Sequence, residues 1–215
     1  MKNLARDPWL GEDFNNQPNR LMIIGESHYA VDKYGEFCQV AYDEFTQKRN
    51  STQWIIESLI KGEKTWKVFD NLYRALYGTK DINIEKFWTK VGFYNFIQEP
   101  MKLKTERPSK QHFLHGFECL KSLIVNDEFA TALFLGTSAT QYYKKFEEEI
   151  FSEALHKCTH WDKVTDNRRS YVYELRYNDK VYKLIFIAHP SQYFQWNAWN
   201  DYLNKIIPEQ IPLLK

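Results

Sequence analysis

The sequence is short of the features that would take it out of the ordinary globular classes. Its three cysteines, Cys38, Cys119 and Cys158, are widely spaced and odd in number. That count and spacing encode neither a disulfide framework nor a paired-cysteine metal site. No apolar run approaches the roughly 18 residues a membrane span requires. The opening stretch, Met1-Lys-Asn-Leu-Ala-Arg-Asp-Pro8, lacks the apolar centre of a secretory signal, so a cytoplasmic location is expected. Net charge is nearly absent too: 29 Lys and Arg against 28 Asp and Glu leave a formal +1. A whole-molecule attraction to nucleic acid or to an anionic membrane is thereby excluded, whereas a basic patch confined to one loop is not. Internal repeats, low-complexity tracts and Pro/Gly/Ser linkers are also missing. Residues 1–215 are read as one domain, expected to be a monomer without contact to membranes.

Aromatic residues are what the chain has in excess. They make up 17% of it, against a mean hydropathy of −0.61. A hydrophobic content of 43% excludes a disordered chain. Leu21-Met-Ile-Ile24 is a continuous apolar run ending at Gly25, the pattern of a strand buried on both faces of a parallel sheet. Val91–Ile97, Thr131–Gly136 and Val181–Ala188 read the same way. Tyr171–Tyr177 alternates with period two and precedes the turn Asn178-Asp-Lys180, so it forms a hairpin with the last of these strands. Between the strands the period becomes helical. Trp66, Phe69, Tyr73, Leu76 and Tyr77 share a face that Gly78 terminates, and Phe113, Phe117, Leu120 and Ile124 follow a cap at Ser109. A third helix is expected over Ala139–Leu155, capped by Ser138. The fold class that follows is α/β: a three-layer α/β/α sandwich around a mostly parallel four-stranded sheet, with an added hairpin strand.

Ligands of open α/β sheets bind beyond the carboxyl ends of the strands. Three of those ends carry chemistry. The first gives Gly25-Glu26-Ser27-His28-Tyr29. The second carries Asn95 and then a basic loop with Lys102, Lys104, Arg107 and Lys110. The last gives His189-Pro190-Ser191, followed by Tyr193, Phe194 and Trp196. Each piece also has a plainer reading. Glycine after a strand is ordinary turn chemistry, and Glu-Ser can open a helix. Asn95 in an apolar strand must be hydrogen-bonded if buried, so it either ties down a loop or reads a ligand. His189 before proline is compatible with a structural histidine. The aromatics near 193–199 fit the apolar side of a C-terminal helix, and Lys102–Lys110 fit a solvated loop.

Taken in order, "LMIIGESHY … GFYNFIQ … RPS … LFLGTSA … FIAHPS" resembles the uracil-DNA glycosylase superfamily over about residues 20–195. The likeness is greatest to the branches whose first motif is G-E-x-P-G. The resemblance implies a monofunctional DNA glycosylase that flips its target base out of DNA, hydrolyses the N-glycosidic bond and leaves an abasic site. It implies that His189 donates to the pyrimidine O2 and that Asn95 reads the O4/N3 edge. Glu26 and Ser27 would orient the water, next to Gly25 and His28 in the same motif. Tyr29 would close the pocket beside C5, and Phe37 would stack on the base. Tyr193, Phe194 and Trp196 would wedge into the duplex, while Ser191, Lys102, Lys104, Arg107, Ser109 and Lys110 would hold phosphates. Some of those branches hold an iron–sulfur cluster on four cysteines; with three cysteines at other positions, no cofactor and no metal are expected.

Two departures bear on substrate. Ser27 stands where the familiar motif has Asp or Asn, and His28 where it has Pro. Serine is not an ionised base at neutral pH, so Glu26 must do more, or turnover is slow, or the favoured base is not uracil but another deaminated base or a bulky modified pyrimidine, such as one of foreign, phage-type DNA. A catalytically weak DNA-binding module on the same fold is the second reading. A serine esterase would need an Asp three residues before its histidine; position 186 is Phe, and the closing glycine of G-x-S-x-G is missing.

Overall fold

The computed structural model describes residues 4–32, 34–191 and 193–214; Gln192, in the segment after His-Pro-Ser, lies outside them. In chain order the elements are β1 (Trp9–Leu10), β2 (Leu21–Gly25), α1 (Gln39–Gln47), α2 (Ser51–Ile60), α3 (Lys67–Tyr77), α4 (Ile84–Lys90) and β3 (Gly92–Asn95). They continue as α5 (Lys110–Val125), β4 (Thr131–Leu135), α6 (Tyr143–Lys145), β5 (Leu155–Thr165), β6 (Arg168–Tyr177), β7 (Lys180–Ile187) and α7 (Trp196–Ile206).

The sheet is mixed and larger than the sequence pattern predicts, with the strand order β1-β3-β2-β4-β7-β6-β5. Its centre, β3-β2-β4-β7, is the expected parallel set. The four-stranded sheet with one hairpin strand is corrected to seven strands. β1 adds antiparallel to β3 at one edge, and β6 then β5 extend the other edge antiparallel. β5 escapes a reading based on apolar runs because it is an edge strand. Its sequence is studded with Lys, His and Asp, and its Trp161 lies on the surface under the Arg169 guanidinium, 4.4 Å from the ring centroid.

Alternate residues of the central strands feed two cores. Leu21 and Ile23 pack with α2, α3, α4 and α7; Met22 and Ile24 pack with α5 and the segment before β5. Two expected helices form as read. Gly78 closes α3 in a left-handed conformation at φ 75°, and Ser109 accepts from the His112 N–H to cap α5.

The expected helix over 139–155 is corrected. The segment runs as a 3-10 turn (Ser138–Tyr142), α6 and a π turn (Phe146–Ile150); the cap position falls on Thr137, which makes no side-chain capping bond, and not on Ser138. Phe146 and Phe151 are both fully buried, five residues apart, a spacing an α-helix would send to different faces. The Phe151 N–H donates to the Phe146 carbonyl at 2.8 Å, and this i→i+5 bond puts both rings in the same core.

The β2–β3 connection leaves to one side of β2 through α1–α4, and the β3–β4 connection returns over the other face through α5. The chain therefore reverses its winding between β2 and β4, and the crevice beyond their carboxyl ends is where such a sheet receives a ligand.

Candidate functional site

A cavity of about 750 Å³ opens at that crevice. Gly25, Glu26, Ser27, His28 and Tyr29 from the end of β2, Asn95 from β3 and His189 after β7 all line it, together with Lys104 of the basic loop. Parallel register explains the meeting: Gly25 lies directly opposite Asn95, and β4 separates β2 from β7 by a single strand. Beyond Gly25 the chain stays paired to the segment after β3. Phe96, Ile97 and Met101 N–H groups donate to the carbonyls of Gly25, Glu26 and His28 at 2.8–2.9 Å, which fixes the backbone under the site.

Asn95 is 7% exposed, and among the described residues none hydrogen-bonds its carboxamide. Its backbone is held instead: Gln98 Nε2 donates to the Asn95 carbonyl at 2.7 Å, while the Arg6 N–H donates to Gln98 Oε1 at 3.2 Å. Asn95 lines the cavity, and its carboxamide is not among the polar atoms closed to solvent without a partner, so its donor and acceptor stay open to a ligand. Of the two sequence readings of Asn95, the loop tie is made by Gln98 and not by the Asn95 side chain.

His189 is largely buried, which pushes its imidazole below the ordinary histidine value. Arg107 lowers it further, while Glu26 pulls it upward. Burial thus favours the neutral imidazole. Its loop is anchored from below by Asn71 of α3, a buried residue whose Nδ2 donates to the carbonyls of Pro190 (3.1 Å) and Ser191 (3.4 Å).

His28 is 4% exposed, and its ring stacks on Phe45 at 4.9 Å between centroids. Burial, then the charge of Arg6, press its pKa down to about 3. The Ser27 Oγ and His28 Nε2 atoms are closed to solvent and make no hydrogen bond among the described residues. A serine–histidine nucleophile pair is therefore not formed. Glu26 is left as the accessible carboxylate, and it also borders a second recess of about 20 Å³ between the ends of β2 and β4, together with Gly136 and Ser138. Among the described residues no group of three His, Cys, Asp or Glu is placed to hold a metal ion.

The remaining sequence-nominated residues divide. Lys102, Arg107, Ser109 and Lys110 are exposed on the loop leading into α5, outside the cavity wall. Ser109 is engaged in its capping box with His112. Phe37 is at the surface, edge-on to Tyr42, with the Lys102 ammonium 5.9 Å from its ring; it does not line the cavity. Phe194, half-buried, stacks at 5.7 Å on the buried Trp199 and packs against the core. Trp196 opens α7 at the surface. Tyr193 is different: it is 87% exposed, with a left-handed backbone at φ 55°. Ser191 turns back so that its N–H donates to the His189 carbonyl at 2.8 Å.

Sequence reasoning missed Asn71, and it missed the far wall of the cavity, built by Phe45, Lys48, Trp54, Lys64 and Trp66. Asn71 sits among the apolar positions of α3, and a lone amide there was the available signal. No helix among the described residues is long and apolar enough to cross a membrane. Comparison with models of known protein families and with curated proteins finds no match to this chain.

Proposed function

We propose that the protein is a monofunctional DNA glycosylase, a three-layer α/β/α sandwich that receives a flipped nucleotide at the carboxyl ends of β2, β3 and β7. The observation that carries this reading is the convergence of Glu26, Asn95 and His189 on one cavity. In N-glycosidic hydrolysis positive charge develops on the sugar and negative charge on the leaving base. A neutral imidazole N–H from His189 meets the charge growing on the base oxygen. The Asn95 carboxamide offers one donor and one acceptor to the base edge. Glu26 orients the attacking water; the adjoining recess of about 20 Å³ exceeds the roughly 10–15 Å³ a water needs. Water adds its oxygen to C1′, the C1′–N bond breaks, and the base leaves with a proton. Ser27, its hydroxyl buried, is given no proton-transfer step.

Lys102, Lys104, Arg107 and Lys110 are the basic groups available to backbone phosphates, and Tyr193 is the exposed ring beside His189 available to fill the gap in the stack. The test is base release from oligonucleotides carrying uracil, hypoxanthine, xanthine or modified cytosines, read as alkali-labile abasic sites, by wild type and His189→Ala. Release by wild type and its loss in the variant support the reading. Absence of release from every substrate by folded protein refutes it.

The closed Ser27 hydroxyl favours one other reading, a binding module with little turnover. Equal DNA affinity of wild type and His189→Ala, with base release by neither, selects it.

A further inference from the structure

The cavity is far larger than a nucleobase. A pyrimidine such as uracil has eight heavy atoms, whereas 750 Å³ lies in the upper part of the range, about 300–1,000 Å³, that encloses a whole drug-sized ligand. Gly25, Asn95 and His189 occupy only its sheet end. The rest reaches outward under α1 and α2, where Trp54 and Trp66 form part of the wall. α1 itself buries no residue: Ala41, Glu44 and Phe45 face this space, where helix faces elsewhere pack on the core. The helix roofs a chamber.

The charge of the chamber limits what fills it. Glu26, Asp32 and Glu44 on its wall are matched by Lys48, Lys64 and Lys104, and Lys48 is already paired with Glu44 at 2.8 Å. His28 adds no charge at neutral pH. A second nucleotide would bring a phosphate and call for excess positive charge, which the wall does not have. The indoles of Trp54 and Trp66, fringed by polar side chains that both donate and accept, suit a neutral ring with an apolar face and a hydroxylated edge.

We propose that the substrate base carries a neutral, hydroxyl-rich substituent of sugar size, held in the outer chamber against Trp54 and Trp66 while the base itself sits at Asn95 and His189. This rests on the glycosylase reading. The bond cleaved remains the N-glycosidic bond to deoxyribose, and the substituent leaves attached to the base. Tyr29, on the wall of the same cavity, then borders the substituent and is not a barrier at C5.

The experiment compares base release from otherwise identical oligonucleotides carrying cytosine, 5-hydroxymethylcytosine or glucosylated 5-hydroxymethylcytosine, by wild type, Trp54→Ala and Trp66→Ala. Trp54 is half exposed, so its variant keeps the core, and thermal melting checks both variants. The glucosylated base is expected to be released at least about tenfold faster than the hydroxymethyl base, with that preference falling about tenfold in each variant, the scale of one lost ring contact. Equal rates, or slower release as the substituent grows, overturn the proposal while leaving the glycosylase reading intact. Should no oligonucleotide lose its base, tryptophan-fluorescence titration with the same three oligonucleotides still decides: tighter binding of the glucosylated one, lost in Trp54→Ala, upholds the chamber, and indifference rejects it.

Discussion

The carboxamide of Asn95 occupies the space that a side chain on Gly25 would need. A Cβ at position 25 overlaps Asn95 Oδ1 and meets the Phe93 ring at 3.4 Å. The two residues are register partners on neighbouring parallel strands, so neither can retreat along the sheet. Gly25 is thus a glycine for room. Gly25→Ala is expected to swing the carboxamide out of the base-reading position at a stability cost of about 1–3 kcal/mol, the range for overpacking. Melting curves of Gly25→Ala, Asn95→Ala and the double variant check this. Because removing the carboxamide frees the space, the double variant should lose less stability than the sum of the two. Strict additivity would show that the overlap is relieved elsewhere.

Asn71 carries a second prediction, because its Nδ2 is the buried donor recorded for both the Pro190 and the Ser191 carbonyl. Asn71→Leu keeps the volume and strands those acceptors, at about 1–3 kcal/mol. The loop that aims His189 then loosens. kcat should fall more than KM rises, since transition-state contact at His189 is lost while the cavity wall stays. A pure rise in KM would assign Asn71 to substrate binding instead.

How much of this was legible in the sequence follows from where each signal resides. The parallel strands declared themselves because burial on both faces forces continuous apolar runs, and their ends named Glu26, Asn95 and His189. β5 did not, since an edge strand with Lys157, His160, Asp162 and Lys163 has no apolar run to show. The packing of Phe194 on Trp199, five residues on, does not show in the His-Pro-Ser motif that precedes it. The outer chamber was illegible for another reason. Its wall draws on Trp54 and Trp66, residues on one connection that come to the same cavity only after α1 and α2 fold back over the strand ends, and no local period encodes that return.

Tyr193 holds a left-handed backbone, a conformation that costs a non-glycine residue of order 1 kcal/mol or more and that clusters at functional loops. Its ring, 87% exposed, follows His189 by four residues in sequence. Tyr193→Ala is expected to slow base release from duplex DNA about tenfold or more, the scale of unstacking energy that a wedge offsets. Release from single strands, where no stack must be replaced, should change far less. Gel assays on paired duplex and single-strand substrates measure the ratio, and equal losses on both would deny Tyr193 a wedge role.

Acid stability should carry the signature of His28. Its folded pKa of about 3 lies below the ordinary histidine value of about 6.5, so the unfolded chain binds this proton first. Its contribution to stability is complete above about pH 6.5 and is lost as pH falls from there toward 3. In that window His28 alone removes about 1.4 kcal/mol per pH unit. His28→Gln, which cannot take up a proton, should flatten the acid limb of the melting temperature relative to wild type between pH 6 and 4. Parallel limbs would mean that the ring is protonated in the folded protein.

Arg107 and Glu26 act on His189 in opposite senses, and this separates the basic loop's electrostatic role from its phosphate contacts. Burial is the larger cause of the lowered imidazole pKa, with Arg107 adding to it and Glu26 opposing. Arg107→Gln removes a charge that disfavours the imidazolium, so the His189 titration midpoint should move upward. Glu26→Gln should move it further down. Histidine ring resonances followed by NMR across pH 4–8 read both shifts directly, without relying on turnover. Because Arg107 is exposed, its effect should shrink as salt is raised from 0.05 to 0.5 M, on the order of the change in screening length. The Glu26 effect, exerted across the cavity wall, should persist. A midpoint that ignores Arg107 would place the basic loop away from His189 in solution and confine it to phosphate binding.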